Sequence, residues 1–430
     1  MPTSLTDPSF KDLDDTSRLY LKHFVDRVCR DLAAHDGPGC NPFRELIPLA
    51  LKHSFLLHII TATSALHMSN AFHLKVTAAS LLGTTTVSVP SDPIAHLQYL
   101  RSADAASRKA LLDSLVAKQK AISHLRAVLE TPESADSGVL LAAVLFFVNF
   151  ELIDLGPSQW KAHLPGACRI LQLLTPESDL AKVQSKTTLQ DCIVSDFVIY
   201  HILGSTLTWE GLGASIAGHA TDLLPVMERV EGDSYLCCPP AILHIILSAS
   251  QLASGALRSR IPDDVTDEGL RLIERALRFD IHAWAVEIQS QVRVPDLSSR
   301  EFVASAHRSA VCLYILRAIP STRARAGVTV DHLVAEIFRH LDRVGAENEH
   351  FKATSWPTVI AGAEARDRES REWVLNRLLK MWACCPWGYV FAAIDMLRQT
   401  WRMRDEEKGI DDGVGWLQEL WARKMGLLIV

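Results

Sequence analysis

The chain reads as an all-α protein, a single large multi-helix domain with a buried central helix core. Three observations predict this. Apolar residues recur at helical spacing from Leu19 to Leu420, strand signals are nearly absent, and the segments Val139–Leu155 and Ala241–Leu257 are apolar nearly all round, as a helix wrapped by others must be. The chain has 430 residues, 48% of them hydrophobic, enough to bury a sizeable core without disulfides. No clean repeat or linker divides it, so residues 1–430 are expected to form one unit with no separate DNA-binding domain.

The elements come in order along the chain. Leu111, Leu115, Ile122, Leu125 and Leu129 fall on one face of a long helix, with Arg108, Lys109, Lys118 and Lys120 mostly off it, so that apolar face is expected to meet the core. Val139–Leu155 is a central helix, and Thr188–Leu203 is an apolar helix interrupted by Asp191 and Asp196. Leu270, Ile273, Leu277, Ile281, Trp284 and Ile288 form the stripe of a further helix, and Leu333, Ile337, Leu341 and Val344 that of another. Pro357 suits a first helical position, where its missing N–H is not needed. The helix it starts buries Val359 and Ile360, while Gly362 and Ala363 admit a neighbouring backbone. Asp367 is an expected N-cap for a second helix with the stripe Trp373, Val374, Leu378 and Met381. Breaks are expected at Gly83–Pro93, Thr131–Ser137, Thr175–Thr188, Gly232–Pro240, Ile261–Asp267 and Pro320–Thr329; the β-like run Thr84–Val89 sits in a loop. Trp160, Trp284, Trp373 and Trp382 are expected core anchors.

The helix–break–helix at Ser355–Leu378 resembles the C-terminal signature of the fungal-specific transcription factor domain, the regulatory region of many fungal zinc-cluster proteins. Asn41–Ala50 with Ser54–Ser69 is similar to that family's opening helices. Trp160, His163, Gly166 and Ala167 resemble its central element, and Val414–Val430 its end, so the likeness spans nearly the whole chain in order. It implies a regulator, in the nucleus or cytoplasm, gated by a small-molecule effector or a protein partner through a shift between helical packings. Fungal secondary metabolism is one setting, and a homodimer is compatible with the likeness.

The family's DNA reader is a six-cysteine zinc module with closely spaced cysteine pairs. Here nine cysteines are scattered, none in a C-x-x-C, and adjacent pairs such as Cys237-Cys238 chelate one tetrahedral ion poorly. No structural zinc site and no cofactor are therefore expected, and the cysteine usage suits a reducing compartment. The net charge of −6 gives no electrostatic footprint for nucleic acid, so the chain is expected to lack a zinc cluster of its own and not to read DNA directly. The longest apolar run, Val139 to Val148, falls short of the roughly 20 residues of a membrane span.

Catalytic signals are weak, and no residue is assigned a catalytic role. Gly213-Ala-Ser215-Ile-Ala217 approaches a nucleophile elbow without its strand, Gly211 and Gly213 lack the third glycine of a dinucleotide loop, and His58 and His67 lie on an apolar helix where packed histidines are common. Three acidic groups support an alternative, a repurposed enzyme of the class I sesquiterpene cyclase type using Mg²⁺ and a prenyl diphosphate. Asp263, Asp264 and Asp267 fit the D-D-x-x-D spacing; Asp411, Asp412 and Glu419 approximate a second metal motif; Asp191 and Asp196 are an interior pair. Carboxylates sharing a helix face can hold hard cations that neutralise a departing diphosphate. The competing reading is that Asp263 and Asp264 lie at a loop-to-helix junction and cap it, facing solvent.

Overall fold

The computed structural model describes residues 13–37, 39–72, 91–130, 136–155, 159–174, 188–208, 223–256, 262–291, 296–406 and 415–430. The described residues form helices joined by short turns, and their only β pairing is an isolated antiparallel bridge between Ala33 and Ser234. The run Thr84–Val89, the glycines Gly211 and Gly213, and Ser215 lie outside the described residues.

The interior is made of helices buried over most of their length, Thr188–Thr206 among them. Ser137–Asp154 is buried over most of its length, started by Asp136, which accepts from the Gly138 and Val139 amides. At 18 residues it is the one described helix long and apolar enough to cross a membrane, yet it lies wrapped by protein. Its polar Asn149 Oδ1 accepts from the Tyr200 hydroxyl at 2.8 Å, and Glu151 accepts from Lys118 at 2.6 Å, which gives these two buried oxygens partners. Leu297–Ala318 is another interior helix, surrounded by Pro240–Ala256, Pro262–Arg278, Ile281–Gln291 and Val330–Leu341. Burial of each Leu, Ile or Phe along these helices stabilises by about 1.5–3 kcal/mol.

The signature elements tie the chain ends together. Trp160 is fully buried against Gly204, where an added Cβ would lie 2.5 Å from the indole, and its Nε1 donates to the Gly426 carbonyl at 3.4 Å. Asp367 caps Arg368–Cys384 as expected, accepting from the Ser370 amide at 2.8 Å. Gly362 admits that helix, since a Cβ there would meet Val374 at 2.7 Å. The preceding helix begins at Ser355, so Pro357 sits in its first turn rather than at its first residue, still without needing an N–H. Glu364, inside the signature, is buried and accepts two bonds of 2.5 Å from Arg317 and one of 2.7 Å from the Trp416 indole.

Three expectations need correction. The stripe from Leu270 to Ile288 belongs to two helices, Pro262–Arg278 and Ile281–Gln291, because Asp280 caps the second, accepting from the Ala283 amide at 2.9 Å; Leu277 stays 41% exposed. The break expected over Ile261–Asp267 is occupied from Pro262 onward by helix. Finally, the Ala105–Leu129 helix turns its small residues inward. Ser107, Ala110, Ser114, Ala117 and Ala121 are buried, while Leu115, Ile122 and Leu129 are about half exposed. The reason is close approach: Ser69 and Ser107 each donate to the other's carbonyl, at 2.9 and 2.8 Å, which leucines on that face would prevent.

Candidate functional site

The sequence-predicted acidic residues do not converge. Asp264 is exposed, and Asp267 pairs with Arg325 at 2.8 Å; both sit in the first turns of Pro262–Arg278, and the side chain of Asp263 lies outside the described residues. Asp411 and Asp412 also lie outside them, while Glu419 pairs with Arg423 one turn on, at 2.8 Å. Asp191 is held by Arg229 through two bonds of 2.8 and 3.0 Å. Asp196, five residues along the same helix, is rotated roughly 140° away at 3.6 residues per turn, so the two do not share a face. Among the described residues no three His, Cys, Asp or Glu side chains gather where a metal could sit. His58 packs its ring against His124.

A different carboxylate forms a centre. The helix Asp15–His23 continues through a π-helical turn, Phe24–Val28, into Cys29–Leu32. Such turns are uncommon and recur at functional sites, because the extra residue re-aims the side chains beyond it. Asp31 follows this turn within the next helical turn, its side chain 8% exposed. It accepts from His67 Nε2 at 3.0 Å and from the Trp387 indole at 2.9 Å. His67 Nδ1 is 2.8 Å from His23 Nε2, so one imidazole N–H donates to the other ring, while His67 Nε2 donates to the Asp31 carboxylate. Lys352 stands beside them, donating to the Arg30 and Ala33 carbonyls at 2.5 and 2.6 Å. Sequence reasoning placed His67 on its helix but missed Asp31, Lys352 and Trp387. They come from three distant segments, and only the π turn could have signalled the first.

The electrostatics arise from burial and pairing. Burial pushes the Asp31 carboxyl up, but the His67 bond and charge, Lys352 and the Trp387 indole outweigh it and hold the group below the usual carboxylate range. Burial, reinforced by His67 and Arg27, drives His23 down to about 3, so its imidazole stays neutral. Burial also lowers Lys352, partly offset by Asp31. Deeper in, burial raises Asp196 well above the ordinary carboxylate value, and one of its oxygens has no partner among the described residues.

Three cavities meet at Asp31. An outer cleft of about 580 Å³ has an apolar wall, Leu19, Met68, Phe72 and Pro386, over a floor of His23 and His67. A second, of about 500 Å³, runs past Lys352, Asn348 and Glu349, and Arg27 and Arg30 stand at the edge of both. An inner chamber of about 20 Å³, the size for a single water, lies among Tyr200, Tyr235, Trp387 and Tyr389. The outer volumes match those that take small organic molecules, and an ionised, nearly buried carboxylate backed by indole and imidazole N–H groups supplies directed polarity.

A second buried cluster was also missed by sequence reasoning. Cys237 has a left-handed backbone, φ 49°, and lies beside His350 and Arg300. Burial raises its thiol, but those two cations outweigh it and bring it to about 7. His350 is in turn 3.2 Å from Ser299, which donates to Asp296 at 2.5 Å.

Comparisons with known proteins bear on this arrangement. The family model described as the fungal specific transcription factor domain matches residues 18–428, which includes every element of the Asp31 centre. The chain is also similar to the acriflavine sensitivity control protein acr-2 of Neurospora crassa, 36% identical over 444 residues, covering 99% of this chain and 69% of that protein. No solved structure matches. With the family's signature elements packed round one core, the chain belongs to the fungal-specific transcription factor domain family.

Proposed function

We propose that this domain is the effector-sensing part of a transcriptional regulator, and that the effector seats in the clefts at Asp31. The observation that supports this reading is the meeting of three cavities on one ionised, mostly buried carboxylate at a π-helical turn. A ligand there touches the Asp15–Leu32 segment, the Ser54–Ala71 helix and the turn before Tyr389–Glu406 together. Occupancy would therefore favour one packing of those helices over another, by as much as its affinity differs between them. The relative's name speaks of acriflavine sensitivity. Accordingly, a role in the response to toxic organic compounds, exercised in the nucleus and with DNA read by another module, is the setting we propose, ahead of secondary metabolism. Asp31 and the apolar wall of the outer cleft give a cationic aromatic such as acriflavine a place for both its charge and its rings.

The test is direct. Purified protein is titrated with acriflavine, following dye fluorescence and thermal stability. The wild type is expected to bind and to gain stability, and Asp31→Asn to lose at least about tenfold in affinity, the equivalent of 1.4 kcal/mol. Binding unaffected by Asp31→Asn places the effector elsewhere; no binding at all, together with a reporter fused to a heterologous DNA-binding domain that ignores Asp31→Asn, refutes the site. No observation favours the Mg²⁺-dependent cyclase over this reading, since Asp191, Asp267 and Glu419 are each paired with an arginine.

A further inference from the structure

We propose that the outer face of the Ala105–Leu129 helix docks an acidic amphipathic helix of a partner protein. This helix spends its small-residue face on the Ser54–Ala71 helix and leaves a line of large apolar side chains outside: Leu112 58%, Leu115 50%, Val116 54%, Ile122 49% and Leu129 52% exposed. Single exposed apolar residues are ordinary, but five within 18 residues lie on one side of this helix, Leu115, Ile122 and Leu129 at seven-residue spacing, as at an interaction site. The stripe extends along about 26 Å of helix at 1.5 Å per residue, the footprint of a partner helix of similar length.

Charge decides the occupant. The exposed charged residues bordering the stripe are mainly basic, Arg108, Lys120 and Arg126, on a protein whose net charge is −6. Of the acidic residues on this helix, Asp113 is already taken by Lys109 and the Tyr20 hydroxyl, both at 2.7 Å, which leaves Glu130. A second copy of this chain would bring the same basic border and meet repulsion, whereas a helix with Asp and Glu beside its own apolar stripe is complementary in both respects. Nucleic acid would satisfy the cations but leave the leucines facing a phosphate backbone. The Tyr20–Asp113 bond also joins this helix to Asp15–His23, which carries Leu19 and His23 to the outer cleft.

The probe is a fluorescein-labelled, stapled 20-residue helix with a leucine stripe bordered by glutamates, and its counterpart with lysines in place of the glutamates. The full chain is expected to bind the acidic peptide in the micromolar range, weakening as salt rises, and the basic peptide at least about tenfold more weakly. Leu115→Glu with Ile122→Glu should abolish binding while the thermal midpoint stays unchanged. Arg108→Glu with Arg126→Glu, both on the exposed side of the helix, should reverse the preference between the peptides and serves if the first variant folds poorly. The proposal is overturned by no binding of the acidic peptide, by equal binding of both, by binding that survives both variants, by a dimer in light scattering that the same variants dissociate, or by duplex DNA competing the peptide away.

Discussion

His23 makes stability sensitive to pH in a way that can be isolated. Its folded-state value lies at about 3 against an ordinary 6.5, lowered first by burial and then by His67 and Arg27. The unfolded chain therefore binds a proton at His23 as pH falls below 6.5, while the folded chain does not. More protons in the unfolded state mean that stability falls as pH falls, across the window from about 6.5 down to 3. At pH 5 the loss from this one group is RT ln(1 + 10^1.5), about 2 kcal/mol, most of which appears between pH 7 and pH 5. The perturbation is His23→Gln, which retains an N–H able to donate to His67 but cannot titrate. Urea unfolding at pH 7 and pH 5 on both proteins gives the difference of differences, which removes the contributions of His307 and the carboxylates. The wild type should lose about 2 kcal/mol more than the variant. Equal losses would mean that His23 takes up its proton in the folded state, and the reading of a neutral, buried His23 beside His67 would then be wrong.

Further outcomes test other parts of the structure. Glu364→Gln leaves Arg317 without its buried carboxylate and should cost about 3–5 kcal/mol in urea unfolding, whereas a loss under about 1 kcal/mol would show the pair to be solvated. Gly388→Ala places a Cβ 2.0 Å from the Asp154 carbonyl oxygen, a backbone atom that cannot swing aside, and should destabilise by about 3 kcal/mol or more. Replacing Asp263, Asp264 and Asp267 together by Asn should cost no more than about 1–2 kcal/mol, since carboxylates in the first turns lose a helix-dipole interaction of a few tenths of a kcal/mol each and the Arg325 pair is exposed. The same proteins incubated with Mg²⁺ and farnesyl diphosphate should release no hydrocarbon detectable by gas chromatography; product from the wild type that the triple variant lacks would establish the cyclase reading.

Much of the fold was legible because helical periodicity is a local property. A helix apolar on every side, such as Ser137–Asp154, has no stable place except the interior, and Asp367 caps its helix through an amide only three residues away. Order and type of elements along the chain determined family membership for the same reason. What the sequence could not decide is which face of a helix wins when two are available. In Ala105–Leu129 the leucines make the more hydrophobic stripe, yet the serines and alanines are buried, because close packing with hydrogen bonds between Ser69 and Ser107 requires small side chains on both helices. The acidic spacings likewise state only that carboxylates recur along the chain; whether each meets an arginine, as Asp191 and Asp267 do, depends on residues far away. The Asp31 centre is the extreme case. His67, Lys352 and Trp387 lie 36 to 356 residues from Asp31, and no periodicity relates them. Only the tertiary structure brings them together, since a buried charge must gather its hydrogen-bond partners from whatever segments the packing delivers.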